Sequence, residues 1–220
     1  MTFSLKYLER EPTQQSTNSA PLLILLHGLG SNEQDLFSFA PHLDPKLRVL
    51  SVRAPRTYAY RGFAWFDIDF SRKVPQPNQV QMGESRQQLL SFLSEVRECF
   101  RPPRIYLGGF SQGAIMSYSI ALMQPDLLSG VLAMSGYIIK DSSLPTTASA
   151  PLKDLPIFAT HGLYDHVLPV FLGRSTRDYL QSLQLNVTYR EYPMAHEVSP
   201  TCFEDCRDWL SQQIANLSGG

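Results

Sequence analysis

Short apolar runs alternate along this chain with longer segments of helical periodicity, and this alternation restricts the fold more than any other feature. The most apolar run, Leu22–Leu26, is too short to cross a bilayer but is typical of a strand buried on both faces. Strands are predicted over Phe3–Glu9, Leu22–Leu26, Leu47–Val52, Ile105–Gly108, Gly130–Met134, Ile157–Thr160 and Val187–Glu191. Helices are predicted over Glu33–Leu43, Gly83–Phe100, Gln112–Met123, Val170–Leu183 and Pro200–Ile214. The fold class is therefore α/β, with a mostly parallel central sheet of roughly seven or eight strands and helices on both faces.

The chain length of 220 residues fits one domain with a substantial buried core. Two stretches lack clear periodicity, Arg56–Gln79 and Tyr137–Pro151, and we interpret them as loops rather than linkers between domains. Few residues remain for an additional lid. We therefore predict a single domain over residues 1–220 without a large cap domain.

Charge and cysteine content argue against several classes of function. The chain has 19 Lys and Arg against 20 Asp and Glu, a formal net charge of −1, which gives no drive toward nucleic acid or anionic lipid. The segment from Met1 to Tyr7 lacks the apolar core of a signal peptide, so we expect a soluble, cytoplasmic protein. The cysteines form no Cys-x-x-Cys unit and predict free thiols rather than disulfides or a zinc site: Cys99, Cys202 and Cys206.

Ser111 lies at the centre of Gly109-Phe110-Ser111-Gln112-Gly113, between a predicted strand and a predicted helix. The pattern Gly-x-Ser-x-Gly is common by chance, so it indicates a nucleophile only when the flanking segments predict a strand before it and a helix after it. Here they predict a tight strand-to-helix turn that exposes the serine hydroxyl and leaves the backbone N–H of Gln112 free to stabilise an oxyanion. An ordinary glycine-rich turn with an incidental serine is the alternative, and the flanks favour a nucleophile.

A serine nucleophile requires a histidine base and a carboxylate that orients the base. His196 lies in the predicted loop before the last helix, and Asp165 follows the strand Ile157–Thr160, which gives the order Ser, Asp, His expected for this type of fold. His27 follows a strand directly and is better suited to shaping an oxyanion loop than to acting as the base. The other histidines also have less suitable positions: His42, His161 and His166. The rival carboxylates are better explained as solvated charges: Asp154, Asp178, Glu191 and Glu197.

These segments resemble the carboxylesterase/phospholipase group of α/β-hydrolases, which includes the acyl-protein thioesterases. The matching segments run in family order along nearly the whole chain: Leu26-His27-Gly28-Leu29-Gly30, Trp65-Phe66-Asp67-Ile68, Leu107-Gly108-Gly109-Phe110-Ser111-Gln112-Gly113-Ala114, His161-Gly162 with Asp165 and Pro169, and His196. The resemblance implies a catalytic triad and an oxyanion hole: Ser111, Asp165 and His196 for the triad, with the backbone N–H groups of Leu29 and Gln112 for the hole.

The resemblance also places Trp65 in a loop over the acyl pocket, as a substrate-binding residue. An aromatic side chain packed under a long loop is an equally good interpretation. After Gly30, the segment Ser31-Asn32-Glu33-Gln34-Asp35-Leu36 resembles the bacterial carboxylesterase branch rather than the eukaryotic thioesterase branch.

The predicted activity is hydrolysis of short- to medium-chain acyl esters through an acyl-enzyme intermediate. Acyl-protein thioesterase or lysophospholipase activity is the alternative, because esters and thioesters pass through the same oxyanion. The expected partner is a small-molecule ester or thioester substrate, with no cofactor, no metal, no nucleic acid and no stable membrane insertion. A homodimer is compatible with the resemblance.

Two other classes of protein remain as rivals. Gly28-Leu29-Gly30 follows a strand and opens a helix, as in a dinucleotide-binding oxidoreductase, but Glu33 stands where the third glycine of that fingerprint is required. Arg53 is only a weak indication of a 2′-phosphate site. The second rival is a non-enzymatic member of the fold that binds a ligand, and an intact triad argues against it.

Overall fold

The fold is built on a central sheet, seen in a computed structural model that describes residues 3–14, 19–72, 74–139 and 144–215. The sheet has seven strands: β1 (Tyr7–Arg10), β2 (Leu22–Leu26), β3 (Arg48–Val52), β4 (Ile105–Phe110), β5 (Gly130–Met134), β6 (Ile157–Gly162) and β7 (Val187–Tyr192). Their spatial order is β1-β3-β2-β4-β5-β6-β7. The edge strand β1 runs antiparallel to β3, and every other pair is parallel, which confirms the predicted α/β sheet.

The helices connect the strands and cover both faces of the sheet. They are α1 (Gln34–Phe37), α2 (Gln79–Phe100), α3 (Gln112–Met123), α4 (Ala150–Asp154), α5 (Val170–Ser182) and α6 (Pro200–Ala215). Three 3₁₀ turns cover Ala40–His42, Ala59–Arg61 and Pro125–Leu127. Two short hairpins pair Arg56–Tyr58 with Gly62–Ala64 and Ile68–Asp69 with Gln76–Pro77. Within the described residues, no helix is long and apolar enough to cross a membrane.

Strand β2 divides the core because its side chains alternate between the two faces of the sheet. Leu22, Ile24 and Leu26 belong to the cluster that includes apolar residues of α2, α3 and α5. Leu23 and Leu25 belong to the cluster on the opposite face, with residues of α1 and α6. All five side chains are at most 2% exposed, as expected for a parallel strand covered on both sides.

The predicted helix Glu33–Leu43 was wrong in extent, since α1 ends at Phe37 and a separate 3₁₀ turn follows. Pro41 lies in that turn, and its missing N–H prevents a continuous helical ladder. At the start of α2, the side chain of Asn78 accepts the backbone N–H of Gln81, so the helix begins before the predicted Gly83. The predicted first strand is also shorter, because Ser4 donates its backbone N–H to Glu95 instead of to a strand.

The candidate site residues follow the carboxyl ends of four strands. His27 comes directly after β2 and Ser111 directly after β4, while Asp165 follows β6 and His196 follows β7. Because these strands are parallel, their carboxyl ends meet at one edge of the sheet, which is where ligands bind in open α/β folds.

Candidate active site

The chain turns sharply from β4 into α3 at Ser111. This residue has φ 53° and ψ −116°, which lies outside the regions that non-glycine residues ordinarily adopt. Its backbone N–H donates to the Met134 carbonyl over 2.8 Å, and its own carbonyl accepts the N–H of Ile115 over 3.1 Å. The neighbouring strand and the first helical turn therefore hold the strained residue in place. The turn predicted from the motif is present.

Both glycines of the motif lie where a side chain has no room. A Cβ on Gly113 would collide with the Leu26 carbonyl, and a Cβ on Gly109 would collide with the backbone of Gly113. The turn can consequently pack directly against β2. This close approach brings Ser111 beside the loop that follows β2.

Ser111, His196 and Asp165 form a continuous chain of hydrogen bonds. His196 Nε2 lies 2.8 Å from Ser111 Oγ, and His196 Nδ1 lies 2.6 Å from Asp165 Oδ2. Because a carboxylate only accepts, Nδ1 carries the proton and donates to Asp165, and Nε2 is left to accept the hydroxyl proton of Ser111. The structure thus brings together the three residues that the sequence predicted as nucleophile, base and carboxylate.

Backbone donors also hold Asp165. Its Oδ1 accepts the N–H groups of Val167 over 2.9 Å and Leu168 over 2.8 Å. Burial alone would raise the pKa of Asp165, but the hydrogen bonds from His196 and Leu168 outweigh burial and hold the pKa below its ordinary value. The side chain is therefore an ionised carboxylate at neutral pH, with an orientation fixed by three donors.

A second histidine lies behind Asp165. His161 is fully buried, with Nε2 2.7 Å from the Leu168 carbonyl and 3.6 Å from Asp165 Oδ2. Burial lowers the pKa of His161, so the ring is neutral and donates its Nε2–H to Leu168. His161 therefore supports the loop that carries Asp165. The two remaining sequence candidates for the base are exposed: His42 and His166.

The two residues whose backbone N–H groups were predicted to hold an oxyanion line the pocket beside Ser111. Leu29 lines the pocket from the loop after β2, and Gln112 is the first residue of α3. Within the described residues, neither N–H donates to a backbone acceptor. The N–H of Gln112 also lies at a helix N-terminus, where the helix dipole favours negative charge.

His27 holds the loop that carries Leu29. Its Nε2 accepts the N–H of Ala54 over 3.0 Å, so the proton is on Nδ1, which donates to the Gly28 carbonyl over 2.7 Å. Burial lowers the pKa of His27 and keeps the ring neutral. The Gly28 carbonyl and the Leu29 N–H belong to one trans peptide and point in opposite directions, so the hydrogen bond from His27 orients that N–H.

The Trp65 side chain is packed in the core. Its side chain is fully buried, and its indole N–H donates to the His27 carbonyl over 3.0 Å. Among the described residues, Trp65 is not one of those that line the pocket beside Ser111. This placement corresponds to the packed aromatic of the second interpretation rather than to a substrate contact.

The side chain of Gln112 clamps the turn to the segment around Trp65, a role that sequence reasoning missed. Gln112 Oε1 accepts the backbone N–H of Trp65 over 2.8 Å, and Nε2 donates to the Phe66 carbonyl over 2.5 Å. Ser85 of α2 also donates its hydroxyl to the Trp65 carbonyl. The available signal was the position of Gln112 at the junction of a predicted strand and a predicted helix. A side-chain amide buried there needs hydrogen-bond partners.

A pocket of about 210 Å³ opens beside Ser111 and His196. Its apolar wall is formed by Ile68, Phe70, Ile115, Val167 and Leu168. Ser31 and Asp35 supply polar groups in the same pocket, and sequence reasoning had assigned neither of them a role.

The features that suggested a nucleotide site have other partners. The Arg53 guanidinium donates to the carboxylate of Glu33, with Nε at 2.6 Å from Oε2. The positive charge of Arg53, which could have bound a 2′-phosphate, is therefore compensated by Glu33. Within the described part of the chain, no group of three or more metal-binding side chains is placed to hold a metal ion.

The sheet and the strand-turn-serine-helix arrangement define the α/β-hydrolase class of protein. Solved structures share this fold: a carboxylesterase from Bacillus cereus (TM-score 0.81, 22% identity, 95% of this chain and 94% of that one) and a carboxylesterase from Mesorhizobium loti (TM-score 0.82, 21% identity, 95% of each chain). Acyl-protein thioesterase 2 from Zea mays is also similar, with a TM-score of 0.74 and 21% identity over 94% of this chain and 98% of that one.

The family follows from the sequence match. The model of the phospholipase/carboxylesterase family matches residues 11–214, and the chain belongs to that family of hydrolases. Acyl-protein thioesterase 1 of Emericella nidulans is 26% identical over 90% of this chain and 92% of its own length. Lysophospholipase-like protein 1 of Mus musculus is 28% identical over 90% of this chain and 89% of its own length.

Proposed function

We propose that this protein is a serine esterase that hydrolyses short- to medium-chain acyl esters. The observation that carries this proposal is the hydrogen-bonded chain from Ser111 Oγ through His196 to Asp165, at 2.8 Å and 2.6 Å. A serine hydroxyl is a weak nucleophile until a base within hydrogen-bond distance accepts its proton. His196 Nε2 lies within that distance of a serine on a strained turn, which supports the proposal.

In the first half of the reaction, Ser111 Oγ attacks the acyl carbonyl carbon while its proton moves to His196 Nε2. The carbonyl oxygen becomes an oxyanion, which the N–H groups of Leu29 and Gln112 stabilise. The intermediate then expels the alcohol or thiol, and His196 returns the proton to the leaving atom. The acyl group remains as an ester on Ser111.

In the second half, a water molecule takes the place of the leaving group. His196 accepts a proton from this water, and the resulting hydroxide attacks the acyl carbon in the same oxyanion site. Collapse of the intermediate releases the carboxylic acid and restores the Ser111 hydroxyl with the proton from His196. The ionised Asp165 stabilises the imidazolium that forms in both halves.

The size of the pocket supports a short or medium acyl chain. Its volume of about 210 Å³ lies below the roughly 300–1,000 Å³ of pockets for drug-sized ligands. The apolar wall around Ile115 and Leu168 suits an alkyl chain.

Thioester hydrolysis, including removal of acyl groups from proteins, is the second candidate function. It is favoured by the names of relatives that match along almost the whole chain, acyl-protein thioesterase 1 among them. A series of acyl chain lengths, measured with oxygen esters and with thioesters, separates the two functions through kcat/KM.

We also propose that the protein is located in the reducing cytoplasm. The free thiols of all three cysteines support this location, and cell fractionation tests it.

Labelling with a fluorophosphonate probe tests the proposed nucleophile. Wild-type protein should be labelled at Ser111, while Ser111→Ala should resist labelling and lose turnover of a p-nitrophenyl ester by about six orders of magnitude. Ser94→Ala, on the exposed side of α2, is the matched control. Substantial turnover by folded Ser111→Ala would refute the assignment, and an unlabelled wild-type protein would favour a non-enzymatic ligand-binding role.

A further inference from the structure

The pocket beside Ser111 is lined by two chemically different kinds of side chain. Ile115 and Leu168 belong to the apolar cluster on the sheet face that α2, α3 and α5 cover, and Ile68 packs against this cluster. Phe110 packs against the cluster on the opposite face, which includes Leu36 of α1. Asp35 precedes Leu36 in α1 and also lines the pocket. The pocket therefore combines apolar side chains that pack on one face of the sheet with the carboxylate of Asp35 from α1.

His196 determines where the leaving atom lies. In the proposed reaction its Nε2 gives a proton to the departing oxygen or sulfur, so that atom must lie next to the imidazole. The His196 ring packs on Phe110, with ring centroids 4.9 Å apart. From a leaving atom beside His196 and Phe110, the alcohol or thiol part can extend toward Asp35, and the acyl chain can pack on the apolar wall near Ile115.

The charge of Asp35 is uncompensated. Its Oδ2 accepts the hydroxyl of Ser31 over 2.7 Å, and the residue is exposed. Among the described residues, no Lys, Arg or His nitrogen lies within 4 Å of this carboxylate, whereas the nearby Glu33 is paired with Arg53. Apart from the imidazole of His196, Asp35 is the one ionisable side chain among the described residues that line the pocket.

We propose that Asp35 makes the enzyme select esters and thioesters whose alcohol or thiol part carries a positive charge. This inference rests on the proposed function. A substituted ammonium group would meet the Asp35 carboxylate and the ring of Phe110, two groups that attract a cation together. A phosphate or carboxylate in the same part of the substrate would be repelled.

A pair of substrates with equal shape and different charge tests the proposal. Butyrylthiocholine carries a trimethylammonium group, and S-(3,3-dimethylbutyl) thiobutyrate carries an uncharged tert-butyl group in its place. The measured quantity is the ratio of kcat/KM for the charged substrate to kcat/KM for the neutral one. Asp35→Asn can still accept the Ser31 hydroxyl, and it should lower this ratio by about 3- to 10-fold.

Two variants serve as controls for the loss of charge. Asp126→Asn removes the same charge from the 3₁₀ turn between α3 and β5, at the opposite edge of the sheet, and should leave the ratio unchanged. Asp35→Glu keeps the charge and should retain most of the preference. Wild-type protein gives a further measurement that needs no variant, because high salt should lower its ratio by screening an exposed carboxylate.

The outcomes distinguish this proposal from the proposed function. Hydrolysis of both substrates with an equal ratio in wild type and Asp35→Asn, or a wild-type ratio insensitive to salt, would overturn the role of Asp35 and leave the esterase intact. Absence of hydrolysis of both substrates by wild type would overturn the function and this inference with it.

A second pair of substrates identifies the source of the cation. The pair consists of S-butyrylcysteine peptides with lysine or norleucine beside the cysteine. An Asp35-dependent preference for the lysine peptide indicates acylated proteins as substrates, and a preference restricted to butyrylthiocholine indicates esters of small ammonium alcohols or thiols.

Discussion

The backbone N–H of Trp65 donates to the side-chain Oε1 of Gln112 over 2.8 Å, across 47 positions of the chain. The same amide donates to the Phe66 carbonyl, so one buried side chain fixes the loop segment to the first turn of α3. The backbone N–H of Gln112 is also one of the two proposed oxyanion donors. A stable position of this donor therefore depends on the contact with the Trp65 segment.

Replacement of Gln112 by Ala removes both of these hydrogen bonds and leaves the Trp65 N–H and the Phe66 carbonyl buried without a partner. We expect the free energy of unfolding to fall by about 2–4 kcal/mol, measured by urea denaturation. The kcat should fall as well, because the turn loses its support while the backbone N–H remains. Gln124→Ala, exposed at the other end of α3, is the matched control. A loss no larger than that of the control would contradict the clamp.

Asp165→Asn changes the charge of the carboxylate while an amide oxygen can still accept the N–H groups of Val167 and Leu168. The new amide no longer requires the Nδ1 proton of His196, so the ring can adopt the wrong tautomer. We expect kcat to fall by about 10⁴-fold with the fold retained. The measurement is ester turnover together with circular dichroism, and Asp178→Asn, at an exposed position of α5, is the control. Activity within tenfold of wild type would exclude Asp165 as the orienting carboxylate.

The sequence predicted the positions of the sheet strands along the chain and the three triad candidates, because both depend on short local patterns. The turn at Ser111 is an example: two glycines and flanking apolar runs determine it within a few residues. The short hairpins between Arg56 and Pro77 could not be predicted, since strands of two or three residues contain too little periodicity. Helix α4, with five residues and Pro151 in its first turn, was missed for the same reason.

The placement of Trp65 and Asp35 depends on contacts that are distant in sequence. Trp65 is buried because its indole reaches the backbone of His27, 38 positions away. Asp35 and Phe110 both line the pocket although they are far apart in sequence, a relationship that helical periodicity alone does not specify. Local patterns predicted the triad candidates, whereas the residues that line the pocket follow only from the folded chain.

Two substitutions of His27 separate its two hydrogen bonds. Asn places an amide N–H near the position of Nδ1 and can still donate to Gly28, whereas Gln places its polar atoms near Nε2 and can still accept from Ala54. Since the bond to Gly28 orients the Leu29 N–H, His27→Gln should lower kcat more than His27→Asn, by about tenfold or more. Both variants should lose stability. Equal kcat values in the two folded variants would show that His27 does not position the oxyanion donor.

The buried neutral His161 makes stability depend on pH. Burial lowers its pKa in the folded state, so between that value and its ordinary value of 6.5 only the unfolded chain binds the proton. Its contribution to stability is therefore complete above pH 6.5 and is lost as the pH falls below this value. His161→Gln keeps a donor for the Leu168 carbonyl but does not titrate, so its free energy of unfolding should fall less steeply from pH 7 to pH 5, by up to about 1.4 kcal/mol per pH unit. Urea denaturation at each pH measures the slope, the exposed His42→Gln is the control, and parallel slopes for wild type and His161→Gln would refute the prediction.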